Sequence, residues 1–249
     1  MATRESIART VHADAWEQHG LLRAGRGGRT GVLPGIRLMA SGLPHPQWNN
    51  GDVTDPAAVD LAAVRAWYQP LGVPWGVRVP AGVPWPHGRF LFRKRLVLRD
   101  AGTVDAPPVP GLVVSTARTD DLVAVAAVAA AAFDGDPALE AAWIDPLLRA
   151  PEHATVALAT LDGTPVATGS VLRTAGHAGP AAALAGVAVL PDAPEEAVRA
   201  VVGSWLLRHA FATGARLALA HPDTDAEAAT LATLGLTPAG ALDVYVDLA

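Results

Sequence analysis

The stretch from Ala181 to Ala212 constrains the fold more than any other: an apolar run, AAALAGVAVL, ends on Pro191 and leads almost directly into a long amphipathic segment. The run is of strand length and reads as a buried strand. The segment from Pro194 to Ala212 sets Val198, Val201, Val202, Trp205 and Leu206 on one helical face, and Gly214 follows as a stop. A buried strand feeding a long one-sided helix requires a layered α/β arrangement, since the helix stripe has to be covered by a sheet.

The surrounding sequence continues the theme. Thr119 or Asp120 can cap a helix through Leu122, Val125 and Ala129 to Phe133, which the Asp134–Pro137 segment breaks before a second helix over Ala138–Leu148. Ala154–Leu172 reads as two strands around the turn signal Asp162-Gly163. Arg216–Ala220 is a further strand, Ala226–Leu234 a helix and Ala241–Leu248 a last strand. The first half gives a thinner version of this pattern: a helix over Arg4–Leu22, a strand over Ile36–Ala40, a helix over Pro56–Tyr68 capped by Asp55, and strands over Val73–Val79 and Phe90–Leu98. Between the halves, RDAGTVDAPPVPG (Arg99–Gly111) suits an extended linker. The expected organisation is an N-terminal domain over 1–98, a linker over 99–111 and a C-terminal domain over 112–249.

Composition narrows the function classes. Of 249 residues 51% are apolar and 17% charged, enough for a sizeable core and unlike a disordered chain. With a net charge of -5 and scattered basic residues, no nucleic-acid polymer is an expected partner. The absence of cysteine rules out disulfides, thiol catalysis and thiolate-bound zinc. The histidines show no metal-ligand spacing, and no nucleophile elbow, Walker loop or dinucleotide fingerprint occurs. The opening residues lack the apolar centre of a signal peptide, and the alanine-rich runs are too interrupted to span a bilayer. The expectation is a cytoplasmic protein acting on a small molecule, with no membrane partner, no metal and no cofactor.

The order of elements in the second half, with GVAVLP (Gly186–Pro191) before the long helix and LATLGLTPAG (Leu231–Gly240) before the last strand, resembles the GNAT (N-acetyltransferase) superfamily over roughly residues 111–249. SGLPHPQWNNGDV (Ser41–Val53) and LGVPWGVRVP (Leu71–Pro80) look like the N-terminal half of actinobacterial tandem GNAT proteins. The resemblance implies an α/β (α+β) fold: a mixed sheet flanked by helices, in two GNAT-like halves in tandem. In the family, a glycine-bearing loop at the long helix's start holds the pyrophosphate of acetyl-CoA on backbone N–H groups. The corresponding positions here are Pro194, Glu195, Glu196, Ala197, Val198 and Arg199. Both glycines are missing, one donor is lost to proline, and two carboxylates stand where phosphate should sit. Asp192 and Glu195 instead have capping-box spacing. The tyrosine that many members use as general acid is matched by Leu231. Acetyl-CoA in its usual mode is therefore not expected.

Two groups of side chains remain as candidates for chemistry. In the family the loop after the first helix borders the acceptor site, and here it carries Phe133, Asp134 and Asp136, with Glu140 and Trp143 beyond. Trp48, Asn49, Asn50 and Asp52 gather an aromatic face, two amides and a carboxylate in the first half. Carboxylates beside aromatics suit water activation and stabilisation of a cationic transition state, so Asp52, Asp134 and Asp136 are the candidate catalytic residues. Trp48, Asn49, Asn50, Phe133 and Trp143 are the candidate substrate-binding residues, because rings stack and amides read polar edges. A turn-and-cap role for the aspartates, and a turn or core role for the Trp48 group, account for the same residues. The expected activity is hydrolysis of a glycosidic, N-ribosyl-like bond in a nucleotide-like intermediate of bacterial specialised metabolism. The alternatives are an acetyl-CoA-dependent small-molecule N-acetyltransferase and a non-catalytic binding or resistance protein.

Overall fold

The structure is a computed structural model that describes residues 2–246. The chain forms two compact units, Met1–Leu96 with Ala239–Ala249, and Val97–Pro238. Each unit combines antiparallel strands and one parallel strand pair with helices.

In the first unit, α1 (Arg4–Leu22) starts at Thr3, whose side chain accepts from the Ser6 N–H. β1 (Arg29–Leu33) and β2 (Ile36–Ala40) form a hairpin over Pro34-Gly35, and β3 (Asn49–Val53) extends it antiparallel to β2. α2 (Leu61–Tyr68) then carries the chain to β4 (Gly76–Pro80), which lies parallel to β3. On one face of β2, β3 and β4 lie Ile36, Leu38, Ala40, Val53, Val77 and Val79, packed with Val64 and Tyr68 of α2. Alternation along a strand puts Arg37, Asn50, Asp52 and Arg78 on the other face, toward α1.

In the second unit the last residues of β5 (Arg89–Asp100), Val97–Asp100, pair antiparallel with β10 (Leu217–Ala220). β6 (Leu112–Thr116), β7 (Ala154–Leu161), β8 (Thr164–Thr174) and β9 (Ala181–Val189) form an antiparallel series, and β9 runs parallel to β10. The β7–β8 turn holds Asp162 and Gly163 at φ 50° and 85°, the two left-handed residues a tight hairpin requires. α5 (Glu195–Ala212) buries Val198, Val202, Leu206, Leu207 and Ala210 against Ala157, Ala159, Ala167, Val171, Ala182 and Leu184. Alanine on the strands brings that helix close to the sheet. α3 (Leu122–Phe133) packs with β8 and β9 and with α4 (Pro137–Leu148), while α6 (Asp225–Thr233) lies against α5. The last strand, β11 (Thr237–Val246), pairs its Leu242–Val246 portion with β4 and so contributes to the first unit.

Most elements lie where the hydrophobic pattern puts them, and the exceptions have local causes. The helix expected over Pro56–Tyr68 divides: a 3-10 turn over Pro56–Ala58, capped by Asp55, ends at extended Val59, and α2 starts anew behind Asp60, which accepts from the Ala62 and Ala63 N–H groups. β1 (RTGVL) and β3 (NNGDV) carry too few apolar residues to announce themselves, and the short β6 (LVVST) follows directly on the proline-rich segment. The final strand was expected to reach Leu248, of which residues 247–248 lie outside the described residues. Among the described residues, no helix is long and apolar enough to cross a membrane.

Candidate functional site

Under α1 the first unit buries a polar network where an apolar seam would be the ordinary solution. His12 and Trp16 stand one turn apart on α1, and the Trp16 Nε1–H donates to His12 Nε2 at 3.0 Å. An indole nitrogen can only donate, so His12 carries its proton on Nδ1, which donates to Asp52 Oδ1 at 3.1 Å. The same carboxylate oxygen lies 3.1 Å from Arg78 Nε, and the Arg78 guanidinium is stacked 4.2 Å from the Trp16 ring centre. Asp52 and Arg78 are direct partners in the parallel β3–β4 register, so the backbone fixes their separation. Nearby, Arg37 joins Asp14 at 2.8 Å and also Glu17, tying β2 to α1.

Burial and charge set the ionisation of this network. Burial, reinforced by Arg78 and Lys94 and only partly opposed by Asp52, lowers His12 to about 4, so it is neutral at pH 7. Burial and the neighbouring Arg23 and Arg78 push His19 well below the ordinary histidine range as well. Burial alone would raise Asp52, but Arg78, His12 and Arg37 outweigh it and hold the carboxyl below its usual range. The arrangement is a buried ion pair, Asp52 with Arg78, braced by a neutral histidine of fixed tautomer.

The other residues singled out in the first half are engaged by the backbone around them. Asn49 is buried and its amide donates to the carbonyls of Leu43, His45 and Pro74, while its oxygen accepts from the Ser41 N–H and Oγ. Asn50 is buried too and donates to the Pro46 carbonyl at 2.8 Å. Trp48 is half-buried and packs on His45, with ring centres 4.4 Å apart. The structure thus brings Asn50 and Asp52 to one strand face and uses Asn49 to hold the Ser41–Trp48 segment. His12, Trp16 and Arg78 are the residues that sequence reasoning missed. The available signal was the i, i+4 and i+7 spacing of His12, Trp16 and His19, which puts three nitrogen-bearing rings on one side of α1.

In the second unit, Asp134 closes α3 in the left-handed conformation at φ 52°, and Asp136 caps α4 by accepting from the Ala138 N–H at 2.8 Å. Phe133 is exposed, and Trp143 is half-buried on α4. Burial raises the carboxyl of Glu140.

The second unit also contains a strand fork. β9 and β10 pair from Ala181↔Leu217 to Ala183↔Leu219, yet β9 continues to Val189. Opposite β8, the register slips between Thr168 and Ser170, so that β9 carries an extra residue beside Gly186, which sits at φ 60°. This is a β-bulge, which bends a strand, and beyond Ala183 no β9 residue pairs with β10 among the described residues. α5 begins just beyond, behind Pro194, with no side chain capping its first turn. The capping box expected from Asp192 and Glu195 does not form, because Glu195 turns the other way. Its Oε1 accepts from Arg199 Nη2 at 2.6 Å. Arg199 Nη1 donates to the Val187 carbonyl at 2.6 Å and to Glu227 Oε1 at 3.1 Å. Glu227 is itself fixed, accepting from the Asp223 N–H at 2.8 Å. Leu231, at the position matched to the family's tyrosine, packs against the apolar core and offers no proton.

No family model and no curated protein sequence matches this chain. Solved structures do. A GCN5-related N-acetyltransferase from Kribbella flavida is similar with a TM-score of 0.73 at 20% identity, covering 96% of each chain. A GCN5-related N-acetyltransferase from Sphaerobacter thermophilus gives a TM-score of 0.58 at 14% identity, covering 96% of this chain and 90% of that one. A tandem GNAT protein from the clavulanic acid biosynthesis pathway gives a TM-score of 0.56 at 16% identity, covering 98% of this chain and 96% of that one. With helices and strands matched over nearly its whole length, this chain carries the GNAT N-acetyltransferase fold.

Proposed function

We propose that the chain is a small-molecule enzyme of the acetyltransferase type, built from two GNAT-like units in tandem, that acylates an amine of bacterial specialised metabolism. The observation that carries this reading is the fork: a bulged β9 that leaves β10 and runs to the start of a long helix whose first turn has no side-chain cap. Separated parallel strands expose a main-chain edge on which an extended thioester arm can pair, and a helix N-terminus favours an anion. The tandem arrangement is supported by a parallel strand pair in each unit and by the similarity to a tandem GNAT protein.

The residues at the fork do not fit the diphosphate of acetyl-CoA as they stand. Glu195 and Glu196 bring negative charge to the helix start, and Arg199 occupies the Val187 carbonyl. Hydrolysis of a glycosidic bond, which the carboxylates suggested, gains no support: Asp136 serves as a helix cap and Asp52 is paired with Arg78.

The test is thiol release. The full chain is incubated with acetyl-CoA and a panel of small primary amines, and free CoA thiol is followed. Amine-dependent release above the uncatalysed rate is the expected result. Absence of release with every amine, together with release of sugar or base from nucleotides offered in parallel, would favour the hydrolase and overturn the acetyl-transfer reading.

A further inference from the structure

The Arg78 guanidinium is 1% exposed, yet it uses only part of its bonding capacity. Its Nε lies 3.1 Å from Asp52 Oδ1, and the Trp16 ring covers one face of its plane. Nη1 and Nη2, which carry all but one of its N–H groups, are buried and find no hydrogen-bond partner among the described residues. Asn50, equally buried, presents the complementary case: its amide nitrogen donates to the Pro46 carbonyl, while its Oδ1 is buried with no partner among the described residues. The two residues stand together because Asn50↔Gly76 and Asp52↔Arg78 are successive pairs on one face of the parallel β3–β4 register. Gly76 keeps that oxygen clear of a side chain, since a Cβ there would lie 2.9 Å from it.

A buried donor or acceptor without a partner is costly, more so when it is charged, and folded proteins rarely leave one. Charge separates water from an anion as the missing partner. Asp52 meets the Nε side of Arg78, and Asp14 and Glu17 are joined to Arg37. Besides burial, what lowers His19 is the positive charge of Arg23 and Arg78. Water answers the N–H groups but not the charge.

We propose that Arg78 and Asn50 form a buried site for one small carboxylate that carries an N–H or O–H on its α-carbon, an α-amino or α-hydroxy acid. The carboxylate takes the paired Nη1 and Nη2 groups, as guanidinium binds such anions, and the α-substituent donates to Asn50 Oδ1. Asp52 and Trp16 hold the guanidinium in place. The site lies wholly within the first unit and neither uses nor tests the acetyl-transfer reading.

The experiment uses the full chain and its Arg78→Lys and Asn50→Ala variants, with circular dichroism to check folding. Glycolate, glycine and acetate are titrated at constant ionic strength, balanced with sodium chloride, and followed by the unfolding midpoint and by nitrogen NMR of the arginine side chains. Mass spectrometry of small molecules released on denaturing the purified chain detects an acid already held. The site predicts a saturable rise in midpoint with glycolate or glycine, or a resident acid of this class, and binding of acetate weaker by about 10-fold or more. It also predicts separate Nη1 and Nη2 signals for the arginine beside Trp16. Arg78→Lys, which keeps the charge but not the paired N–H groups, loses about 10-fold or more in affinity, and Asn50→Ala brings glycolate and acetate within about 2-fold of each other. No saturable rise together with no released acid overturns the site and leaves Arg78 to buried water. Equal binding of acetate and glycolate by the parent overturns the ligand class. Undiminished affinity in a folded Arg78→Lys protein overturns the assignment to Arg78. Should Arg78→Lys not fold, the parent decides: guanidinium signals unmoved at saturation overturn the proposal.

Discussion

His12 performs its role only while neutral: Nε2 must accept from Trp16, which a doubly protonated ring cannot do. Its folded value of about 4 lies below that of an exposed histidine, so between about 6.5 and 4 the unfolded chain binds a proton that the folded chain refuses. Stability consequently rises with pH across that window and is lost as pH falls through it, at about 1.4 kcal/mol per pH unit for one such group. His19, lowered in the same direction, adds to the slope. Urea unfolding at pH 7, 6 and 5 should show this decline, and His12→Gln should flatten it. An equal slope in the variant would assign the acid sensitivity elsewhere. The ion pair makes a separate prediction. Asp52→Asn leaves the Arg78 guanidinium buried beside a neutral amide and should cost about 3–5 kcal/mol, whereas adding Arg78→Met should recover part of that loss. A double variant no more stable than Asp52→Asn alone would show that the two residues are not coupled.

At the scale of elements, turns and caps were more legible than polar strands. Asp162-Gly163, the break after Phe133 and the long α5 could be read because turn chemistry and apolar periodicity agree there. β3 could not: NNGDV lacks the alternation of a half-buried strand, and polar residues suggest exposure, yet α1 and the loop from Ser41 bury all of them. The same blindness hid Arg78, which sits between Val77 and Val79 with the polarity expected of a solvent-facing position. Arg199 was visible as a departure from glycine, but its partner Glu227 is far away in sequence and only the fold brings them together. Two elements give tests of their own. Gly35 holds the β1–β2 turn at φ 74°, and a Cβ there would lie 2.3 Å from the Asp55 carbonyl oxygen, which is backbone and cannot yield cheaply. Gly35→Ala should lower stability by about 1–3 kcal/mol in chemical denaturation, and no loss would mean that the turn relaxes. Asp136→Ala should cost about 1 kcal/mol as the loss of a cap, and Asp136→Ser should restore most of it. Turnover that vanished in both while stability held would return Asp136 to the list of catalytic candidates.

For the molecule as a whole, the division into units does not follow the order of the chain, and this has a measurable consequence. The first unit is completed by the end of the sequence. Leu242–Val246 pairs with Gly76–Pro80, and Asp243 accepts from Arg93 Nε at 2.7 Å and from the Gly82 N–H at 3.2 Å. A chain that stops after Pro238 loses this strand, exposing the β4 edge and removing the carboxylate from Arg93. The second unit, Val97–Pro238, keeps every residue of its own. The truncation should therefore unfold the first unit and spare the second. Tryptophan reports the difference, since Trp16, Trp48, Trp67, Trp75 and Trp85 belong to the first unit and Trp143 and Trp205 to the second. The truncated chain should lose most of its near-UV tryptophan dichroism and shift its emission to the red, while amide exchange over α5 and β7–β9 stays slow. Adding a synthetic peptide spanning 239–249 should restore part of the near-UV signal, as a strand that supplies both pairing and a carboxylate would. If the truncated chain unfolds at the same midpoint as the parent with unchanged emission, β11 is not what completes the first unit. If instead exchange becomes fast across all of Val97–Pro238, the two units do not fold separately, and the loss of one strand is felt by the whole chain.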